Sequence, residues 1–240
     1  MPEQLDILVL CAHPDDAEIS AAGTLIQCIR KGYKVGIVDL TMGELGTRGS
    51  GLLRIEEAKN ASTYMGLTIR ENLNLGDGSF QNDHATRLKV IECLRRYRPK
   101  IVLTNSKSDR HPDHGKGAEL VVESCFYSGL SKLETTSNGV IQEAWRPTAV
   151  YHFIQDYYHE PDFVMDITSV WDQKVEALKC YSSQFFDPSS QEPRTPISGE
   201  DFFDFLNSRA RELGRAAGMT LAEGFVSARR IGVKDFFDLV

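Results

Sequence analysis

The sequence lacks the long apolar segments that mark membrane and exported proteins. Its first apolar run, Ile7 to Ala12, is too short for a signal peptide or a membrane span, and no basic segment precedes it. We therefore expect a cytoplasmic protein that does not associate with a membrane.

Cysteine is scarce and shows no pairing pattern. The five cysteines are odd in number, form no C-x-x-C pair and stand mostly among apolar neighbours: Cys11, Cys28, Cys93, Cys125 and Cys180. This pattern is typical of buried thiols in a reducing cytoplasm and argues against a disulfide framework.

An excess of basic residues is missing too. The chain has 27 lysines and arginines against 34 aspartates and glutamates, which gives a net charge of −7. That balance opposes binding to phosphate backbones and to anionic membranes. We expect no nucleic-acid partner.

The motifs of two other enzyme classes are absent. A dinucleotide site needs G-x-G-x-x-G after the first strand, but no glycine follows that segment before Gly23. A nucleophilic mechanism has little support, because no serine or cysteine stands in a strained elbow such as G-x-S-x-G.

The sequence does contain a regular alternation of strand and helix patterns. Its 240 residues, 41% of them hydrophobic, suit one compact domain with a sizeable core. Strand patterns cover 6–12, 34–40, 69–75 and 101–105, and helical spacing covers 17–31, 53–65, 88–97 and 115–126. This alternation predicts a single-domain, Rossmann-like α/β fold over residues 1–240, with a doubly wound, mostly parallel sheet flanked by helices.

The pattern loosens after Gly129. Strands are predicted near 149–154 and 163–167, and helices near 170–181 and 200–217. Between them, Asp187 to Gly199 is rich in proline and serine and is predicted to be an irregular, flap-like loop.

Two loops that follow predicted strands carry histidine and aspartate together. The first is AHPDDAE, Ala12 to Glu18, and the second is DRHPDHG, Asp109 to Gly115. In an open α/β sheet, ligands bind beyond the carboxyl ends of the strands, so these loops are the first candidates for a functional site.

The residue types in these loops suit a catalytic zinc. Such an ion takes three protein ligands and keeps one position open for water, and His13, Asp16 and His114 supply that number. Asp15 then remains free to take a proton from the attacking water and to return it to a leaving amine. Taken alone, Asp15 and Asp16 would more often be helix caps, and His13 a structural residue.

Two further residues of the second loop have candidate roles. His111, as an imidazolium, would stabilise the oxyanion of a tetrahedral intermediate, and Asp113 would hold its tautomer. Together these residues predict a zinc-dependent hydrolase with one divalent ion per chain.

With both motifs in view, the chain resembles the LmbE-like (PIG-L) family of zinc-dependent N-deacetylases, whose signature is an AHPDD loop followed by an HPDH loop. Within the family, the likeness points to the deacetylases of bacillithiol biosynthesis, which remove acetate from N-acetylglucosaminyl malate. It runs through the segments DLTMGELGTRG (39–49), LRIEEA (53–58), DRHPDHG (109–115), PDFVMDI (161–167), YSSQF (181–185) and AEGF (222–225).

The resemblance implies zinc on His13, Asp16 and His114, Asp15 as general base and His111 as its electrostatic partner. It also implies a cytoplasmic homo-oligomer, often hexameric, that acts on a small-molecule N-acetylglucosaminide without an organic cofactor. Sister deacetylases, thiol-conjugate amidases and non-catalytic zinc-binding domains remain as alternatives.

A malate aglycone carries two carboxylates, and arginine offers a bidentate fork to such groups. Arg54 is the first candidate for binding it, with Arg110 and Arg48 behind, although ordinary surface solvation is an even alternative for Arg48. Gln184 in YSSQF is a candidate for the wall of the sugar pocket.

Overall fold

The computed structural model describes residues 4–185, 187 and 189–239, and these form an α/β fold around a seven-stranded sheet. The strands assigned among these residues are β1 (Ile7–Cys11), β2 (Val35–Asp39), β3 (Ile69–Asn72), β4 (Ile101–Thr104), β5 (Thr136–Ser137), β6 (Val140–Ile141), β7 (Ala149–Phe153), β8 (Phe163–Asp166) and β9 (Ala222–Ser227). The order in the sheet is β3-β2-β1-β4-β7-β9-β8, while β5 and β6 form a separate hairpin.

Helices cover the sheet, as the alternating sequence pattern predicts. They are α1 (Asp16–Arg30), α2 (Gly51–Met65), α3 (His84–Tyr97), α4 (Pro112–Tyr127), α5 (Trp171–Lys179) and α6 (Phe202–Ala216), with 3-10 turns at Thr168–Val170 and Phe236–Leu239. The predicted α/β class and mostly parallel sheet are confirmed. No helix in the described part of the chain combines the length and apolar character that a membrane span requires.

The sheet is parallel from β3 to β7 and antiparallel beyond. β1 pairs in parallel with β2 on one side and with β4 on the other, and its five residues are all buried. The chain leaves β1 in one direction and later returns to its other side, so the sheet has its topological switch point between β1 and β4. The loops after these two strands therefore meet at one edge.

The sequence patterns did not predict every element. β9 falls in the segment AEGF, which alternates too weakly to suggest a strand, yet it pairs antiparallel with both β7 and β8. Helix α4 begins at Pro112 rather than at Gly115, because proline at the first helical position needs no hydrogen-bond partner for its nitrogen. Consequently His114 lies in the first turn of a helix and not in a loop.

A buried ion pair between Lys174 and Glu223 packs against helix α1. Glu223 Oε1 accepts the backbone N–H of Gly23 at 3.0 Å, and Oε2 accepts that of Thr24 at 2.7 Å. Lys174 Nζ donates to Glu223 at 2.6 Å and to the carbonyl oxygen of Ile19 at 2.7 Å. These contacts satisfy backbone groups of the helix from outside. Gly23 is required here, since a Cβ at this position would lie 2.6 Å from a side-chain carbon of Ile167.

The five cysteines are free thiols. Cys11, Cys93 and Cys125 are buried, while Cys28 and Cys180 are partly exposed. Burial raises the pKa of Cys93 to about 12, so this thiol stays protonated and unreactive at neutral pH.

Candidate active site at the ends of β1 and β4

Asp16 lies between the two histidines that the sequence suggests as its co-ligands. Its Oδ2 is 3.5 Å from Nδ1 of His13, and its Oδ1 is 3.2 Å from Nε2 of His114. All three side chains are buried, with relative exposures of 2–6%. The loop after β1 and the first turn of α4 thus bring the three predicted ligands together.

The outward nitrogen of each histidine contacts a carboxylate. Nε2 of His13 is 3.1 Å from Oδ1 of Asp77, and Nδ1 of His114 is 2.7 Å from Oδ2 of Asp109. Metal-binding histidines commonly donate their second N–H to a carboxylate, which fixes the tautomer and the ring orientation. Both rings therefore have the arrangement in which Nδ1 of His13 and Nε2 of His114 are free to bind an ion.

These distances fit a tetrahedral ion. Zinc bonds of about 2.0–2.1 Å place neighbouring ligand atoms about 3.3 Å apart, which matches the 3.2 Å between Oδ1 of Asp16 and Nε2 of His114. The 3.5 Å separation from Nδ1 of His13 is measured from the other oxygen, Oδ2. In two overlapping groups of three residues, one possible ligand atom from each residue lies within 4.8 Å of the other two. The groups are His13, His111 and His114, and His13, Asp77 and Asp113.

The second of these groups is better described as hydrogen-bond support for His13. The oxygens of Asp77 and Asp113 already accept backbone N–H groups from Leu45 at 2.9 Å and from Gly78 at 2.7 Å. Carboxylates held in this way can receive the Nε2–H of His13 without an ion between them.

The electrostatics of the site favour a cation. Burial disfavours the charged form of His114, but Asp16 and Asp109 outweigh it and raise the pKa of this imidazole to about 9. The pKa of His13 is also raised, because Asp113, Asp16 and Asp77 outweigh its burial. Positive charge at the centre of the site is thus stabilised, and a divalent ion would supply it.

Asp15 lies beside the three predicted ligands and is not one of them. Its φ of 97° is rare for a residue other than glycine, and its side chain makes no capping hydrogen bond to helix α1. The capping interpretation of Asp15 is therefore not supported. Burial raises the pKa of Asp15 to about 7 even though Arg54 opposes the shift, which suits a group that exchanges a proton near neutral pH.

Arg54 lies in the wall of the site with most of its donors in use. Its Nη2 donates to Oδ2 of Asp15 at 2.8 Å and to the carbonyl oxygen of Pro14 at 2.7 Å, and its Nη1 donates to the carbonyl oxygen of Gly43 at 3.2 Å. Its Nε has no hydrogen-bond partner among the described residues. The expectation that Arg54 binds an aglycone stays a prediction.

His111 caps helix α4 and differs from the role expected of it. Burial, together with His13 and His114, lowers its pKa below the usual 6.5, so the ring is neutral rather than an imidazolium. Its Nδ1 accepts the backbone N–H of Asp113 at 3.3 Å, which leaves Nε2 as the protonated nitrogen. Asp113, which is predicted to hold the tautomer of this ring, contacts it through its backbone N–H, while its carboxylate accepts hydrogen bonds from Gly78 and Lys116.

A cleft of about 330 Å³ opens beside these residues. His13, Arg54, Arg110, His111 and Gln184 line it, together with Asp77 and the segment 194–197. Its size lies within the range of small-molecule sites.

Of the other predicted substrate residues, two reach this cleft. Arg110 is 41% exposed and pairs with Asp156, so its guanidinium stays close to solvent. Gln184 lines the wall, but its Nε2 donates to the carbonyl oxygen of Arg48 at 2.9 Å.

The substrate role expected for Arg48 needs correction. This side chain is 4% exposed and does not line the cleft. Its Nε donates to the carbonyl oxygen of Ser183 at 2.8 Å, and its Nη2 donates to Oγ of Ser190 at 2.8 Å. Arg48 therefore anchors the loop that follows α5, and the alternative of a solvated surface residue is wrong as well.

Several residues of the site were not found from the sequence. Asp109 lies inside the second motif, five residues before His114. That short spacing was the one sequence feature that could have suggested its contact with the His114 ring. Asp77 and the exposed Arg194 lie in loops without a recognisable pattern. The segment 187–199 has no regular structure in its described part, and Pro188 lies outside the described residues.

Comparison with known proteins agrees with this geometry. Residues 8–125 match the family described as PIG-L: GlcNAc-PI de-N-acetylase, and this range contains both histidine-aspartate motifs. A solved structure, the conserved protein TT1542 from Thermus thermophilus, is 31% identical with a TM-score of 0.85, and the match covers 97% of this chain and 99% of that chain.

The relatives differ in what their names say they do. Diacetylchitobiose deacetylase from Thermococcus kodakarensis is 27% identical, covering 90% of this chain and 81% of the relative. 4-Oxalmesaconate hydratase from Pseudomonas putida is 28% identical over 75% and 74% of the two chains. A protein of Bacillus subtilis named as a probable N-acetyl-α-D-glucosaminyl L-malate deacetylase 2 is 27% identical, covering 74% of this chain and 82% of the relative. This chain therefore belongs to the PIG-L family and is an enzyme of the deacetylase type, a hydrolase.

Proposed function

We propose that this enzyme uses zinc, held by His13, Asp16 and His114, to remove the acetyl group from an N-acetylglucosaminide. One observation carries the proposal: Asp15 is buried beside the three ligands, makes no capping hydrogen bond and has a pKa of about 7. A domain that only stored an ion would not need this group.

The ion would polarise the acetamide carbonyl and lower the pKa of the attacking water to about 7. Asp15 takes the proton from that water as the new C–O bond forms. When the C–N bond breaks, Asp15 returns the proton to the leaving nitrogen, and the products are acetate and a free amine.

His111 stabilises the negative charge that develops on the carbonyl oxygen. Because its Nδ1 accepts the N–H of Asp113, the neutral ring keeps a proton on Nε2 and can donate it as a hydrogen bond. A neutral donor in this position needs no change of protonation during the reaction.

The substrate that we propose is N-acetylglucosaminyl malate, as in bacillithiol biosynthesis. Support comes from the similarity to the Bacillus subtilis relative and from the arginines of the cleft, since two malate carboxylates require concentrated positive charge in a protein of net charge −7. Arg110 and Arg194 are exposed at the cleft. Arg194 makes no hydrogen bond or ion pair with any residue that the structure describes.

A sister deacetylase is the second candidate, and it also has a specific observation in its favour. The similarity to diacetylchitobiose deacetylase covers 90% of this chain, more than the 74% covered by the malate relative. A chitobiose-type substrate carries no charge on its second sugar, so it would not need the two exposed arginines.

The resemblance also leads us to propose a cytoplasmic homo-oligomer, with a hexamer as the expected form. Light scattering of the purified protein during gel filtration tests the assembly, and a monomer at micromolar concentration would contradict it.

A substrate panel tests the proposed function. The zinc-loaded protein is incubated with N-acetylglucosaminyl malate, diacetylchitobiose and methyl N-acetylglucosaminide, and the released amine and acetate are both measured. Hydrolysis of the amide should release them in equal amounts. We expect the highest kcat/KM for the malate glycoside. A preference for diacetylchitobiose would favour the sister enzyme, and no amine from any N-acetylglucosaminide would overturn the proposal.

A further inference from the structure

We propose that Asn105 and Gln155 are positioning residues that fix the carboxylate of Asp16 and thereby set the affinity of the site for its ion. This inference rests on the proposed metal site. Neither amide was singled out by the sequence motifs, and neither is among the residues that line the cleft.

Asn105 follows β4 and is fully buried. Its Nδ2 donates to Oδ2 of Asp16 at 3.1 Å and to Oε1 of Gln155 at 3.3 Å, while its Oδ1 accepts the backbone N–H of Ala12 at 2.9 Å. Every polar atom of this amide thus has a partner, and only one orientation of the group satisfies them all.

Gln155 follows β7 and contacts the opposite oxygen of the same carboxylate. Its Nε2 donates to Oδ1 of Asp16 at 2.7 Å, and its Oε1 accepts from Asn105. The backbone N–H of His13 adds a third donor to Asp16, at 2.9 Å from Oδ2. Donors on both oxygens prevent rotation of the carboxylate plane.

The backbone on which Asn105 stands is held as well. Nδ1 of His152, in β7, donates to the carbonyl oxygen of Asn105 at 2.7 Å, and Oγ of Ser106 donates to the carbonyl oxygen of Phe153 at 2.8 Å. The pKa of His152 is lowered mainly by its burial, so the ring is neutral. The ends of β4 and β7 are therefore joined directly below the carboxylate.

Neutral amides suit this position for an electrostatic reason. Asp16 must remain charged while buried between two imidazoles, and hydrogen bonds stabilise its charged form without adding positive charge that would repel an ion. Oδ2 accepts two of these donors, whereas Oδ1 accepts only from Gln155 and keeps a lone pair on the side of His114, whose Nε2 is 3.2 Å away. Removing an amide frees the carboxylate to turn and leaves a buried oxygen without its donor.

Outer contacts of this kind typically change metal affinity by about 10- to 100-fold. We therefore expect Asn105→Ala and Gln155→Ala each to raise the Kd for Zn²⁺ by about that factor. Because Asn105 also donates to Gln155, the double variant should lose less than the product of the two single effects.

The experiment measures Zn²⁺ affinity by competition with a chromophoric chelator and records the visible spectrum of the Co²⁺ form. Gln155→Glu keeps the side-chain size but replaces the donor with an acceptor, so it should weaken binding even where the alanine variants fold poorly. Gln142→Ala is the matched control, since this partly buried amide donates only to the carbonyl oxygen of Glu92. It should leave Kd and the Co²⁺ spectrum unchanged.

A positioning role predicts that the loss is mainly in metal binding, so that kcat largely recovers when Zn²⁺ saturates the variants. Folded variants whose Kd and Co²⁺ spectrum match those of the wild type would overturn the inference. Failure of the wild type to bind Zn²⁺ would instead overturn the proposed metal site, so the two failures are distinguishable.

Discussion

Arg54 and Asp15 form a buried ion pair in which Nη2 of Arg54 lies 2.8 Å from Oδ2 of Asp15. The two side chains are 7% and 4% exposed, so water screens their interaction weakly. The pair joins helix α2 to the loop after β1 and determines where the proposed base points. Arg54 also lowers the pKa of Asp15 against the effect of burial.

The contacts of Arg54 lead to a prediction about Arg54→Ala. Loss of a hydrogen bond to a charged group costs about 1.5–3 kcal/mol, which corresponds to a fall in kcat/KM of about 10- to 150-fold. We expect similar losses for N-acetylglucosaminyl malate and for methyl N-acetylglucosaminide, because the base is misplaced in both reactions. Arg54→Lys should recover part of the activity.

The comparison of the two substrates separates the roles considered for Arg54. A loss confined to the malate glycoside would show that the guanidinium serves the aglycone. The contacts with Asp15 would then have little catalytic weight.

Arg194 is the better placed residue for an anionic aglycone, since it is exposed at the cleft and has no described partner. We expect Arg194→Ala to raise KM for the malate glycoside by about 3- to 10-fold, as for one partly exposed charge-assisted contact. KM for the neutral methyl glycoside should not change. Arg211→Ala, at an exposed arginine of α6 that pairs with Asn207, is the control, and an equal effect there would contradict the assignment.

The segment 187–199 is predicted to close over bound substrate. Arg48 and the backbone N–H of Gly49 hold it through Ser190 and Glu192, while its part from Arg194 to Ile197 lines the cleft. Hydrogen exchange of the backbone amides in 194–198 should slow when the glucosaminide product is bound. Identical exchange with and without product would count against closure.

The buried ion pair between Lys174 of α5 and Glu223 of β9, which packs against helix α1, should contribute to stability. Lys174→Met leaves Glu223 buried without its counter-charge, and we expect the free energy of unfolding to fall by about 3 kcal/mol. Lys179→Met is the control, because the Lys179–Glu176 pair is exposed and its loss should cost less than about 0.5 kcal/mol. Urea unfolding of both variants measures the difference, and equal stabilities would contradict a role for the buried pair.

Strands β1, β2 and β4 and the helices of the first half could be predicted because they are short apolar runs or helical repeats, most of them bounded by glycine or proline residues. β9 could not, since its pairing partners β7 and β8 come from distant parts of the chain and its sequence alternates weakly. Long-range pairing of this kind leaves little trace in a local pattern.

The residues at the centre of the site could be predicted because two motifs carried them. His13 and Asp16 belong to the first motif and His114 to the second, and the strands that precede the two motifs are adjacent in the sheet. The residues that hold them could not, because Asn105, Gln155 and Asp77 are ordinary polar types whose roles depend on three-dimensional contacts. The protonation state of His111 could not be predicted from the sequence either, since the neighbouring rings that help to lower its pKa come from both motifs.

The arginines illustrate the same limit. A guanidinium in a family-like segment suggested a ligand contact for Arg48, but its donors are used by Ser183 and Ser190. Which arginine reaches the cleft depends on loop packing that the sequence does not display.

The measurement that tests the account most directly is turnover of Asp15→Asn together with its metal content. Asn keeps the size of the side chain but cannot take the proton, so we expect kcat to fall by about 10²- to 10⁴-fold while bound zinc stays stoichiometric. His114→Ala is the comparison, because it should lose zinc along with activity. Near-normal turnover by zinc-loaded Asp15→Asn would contradict the proposed mechanism.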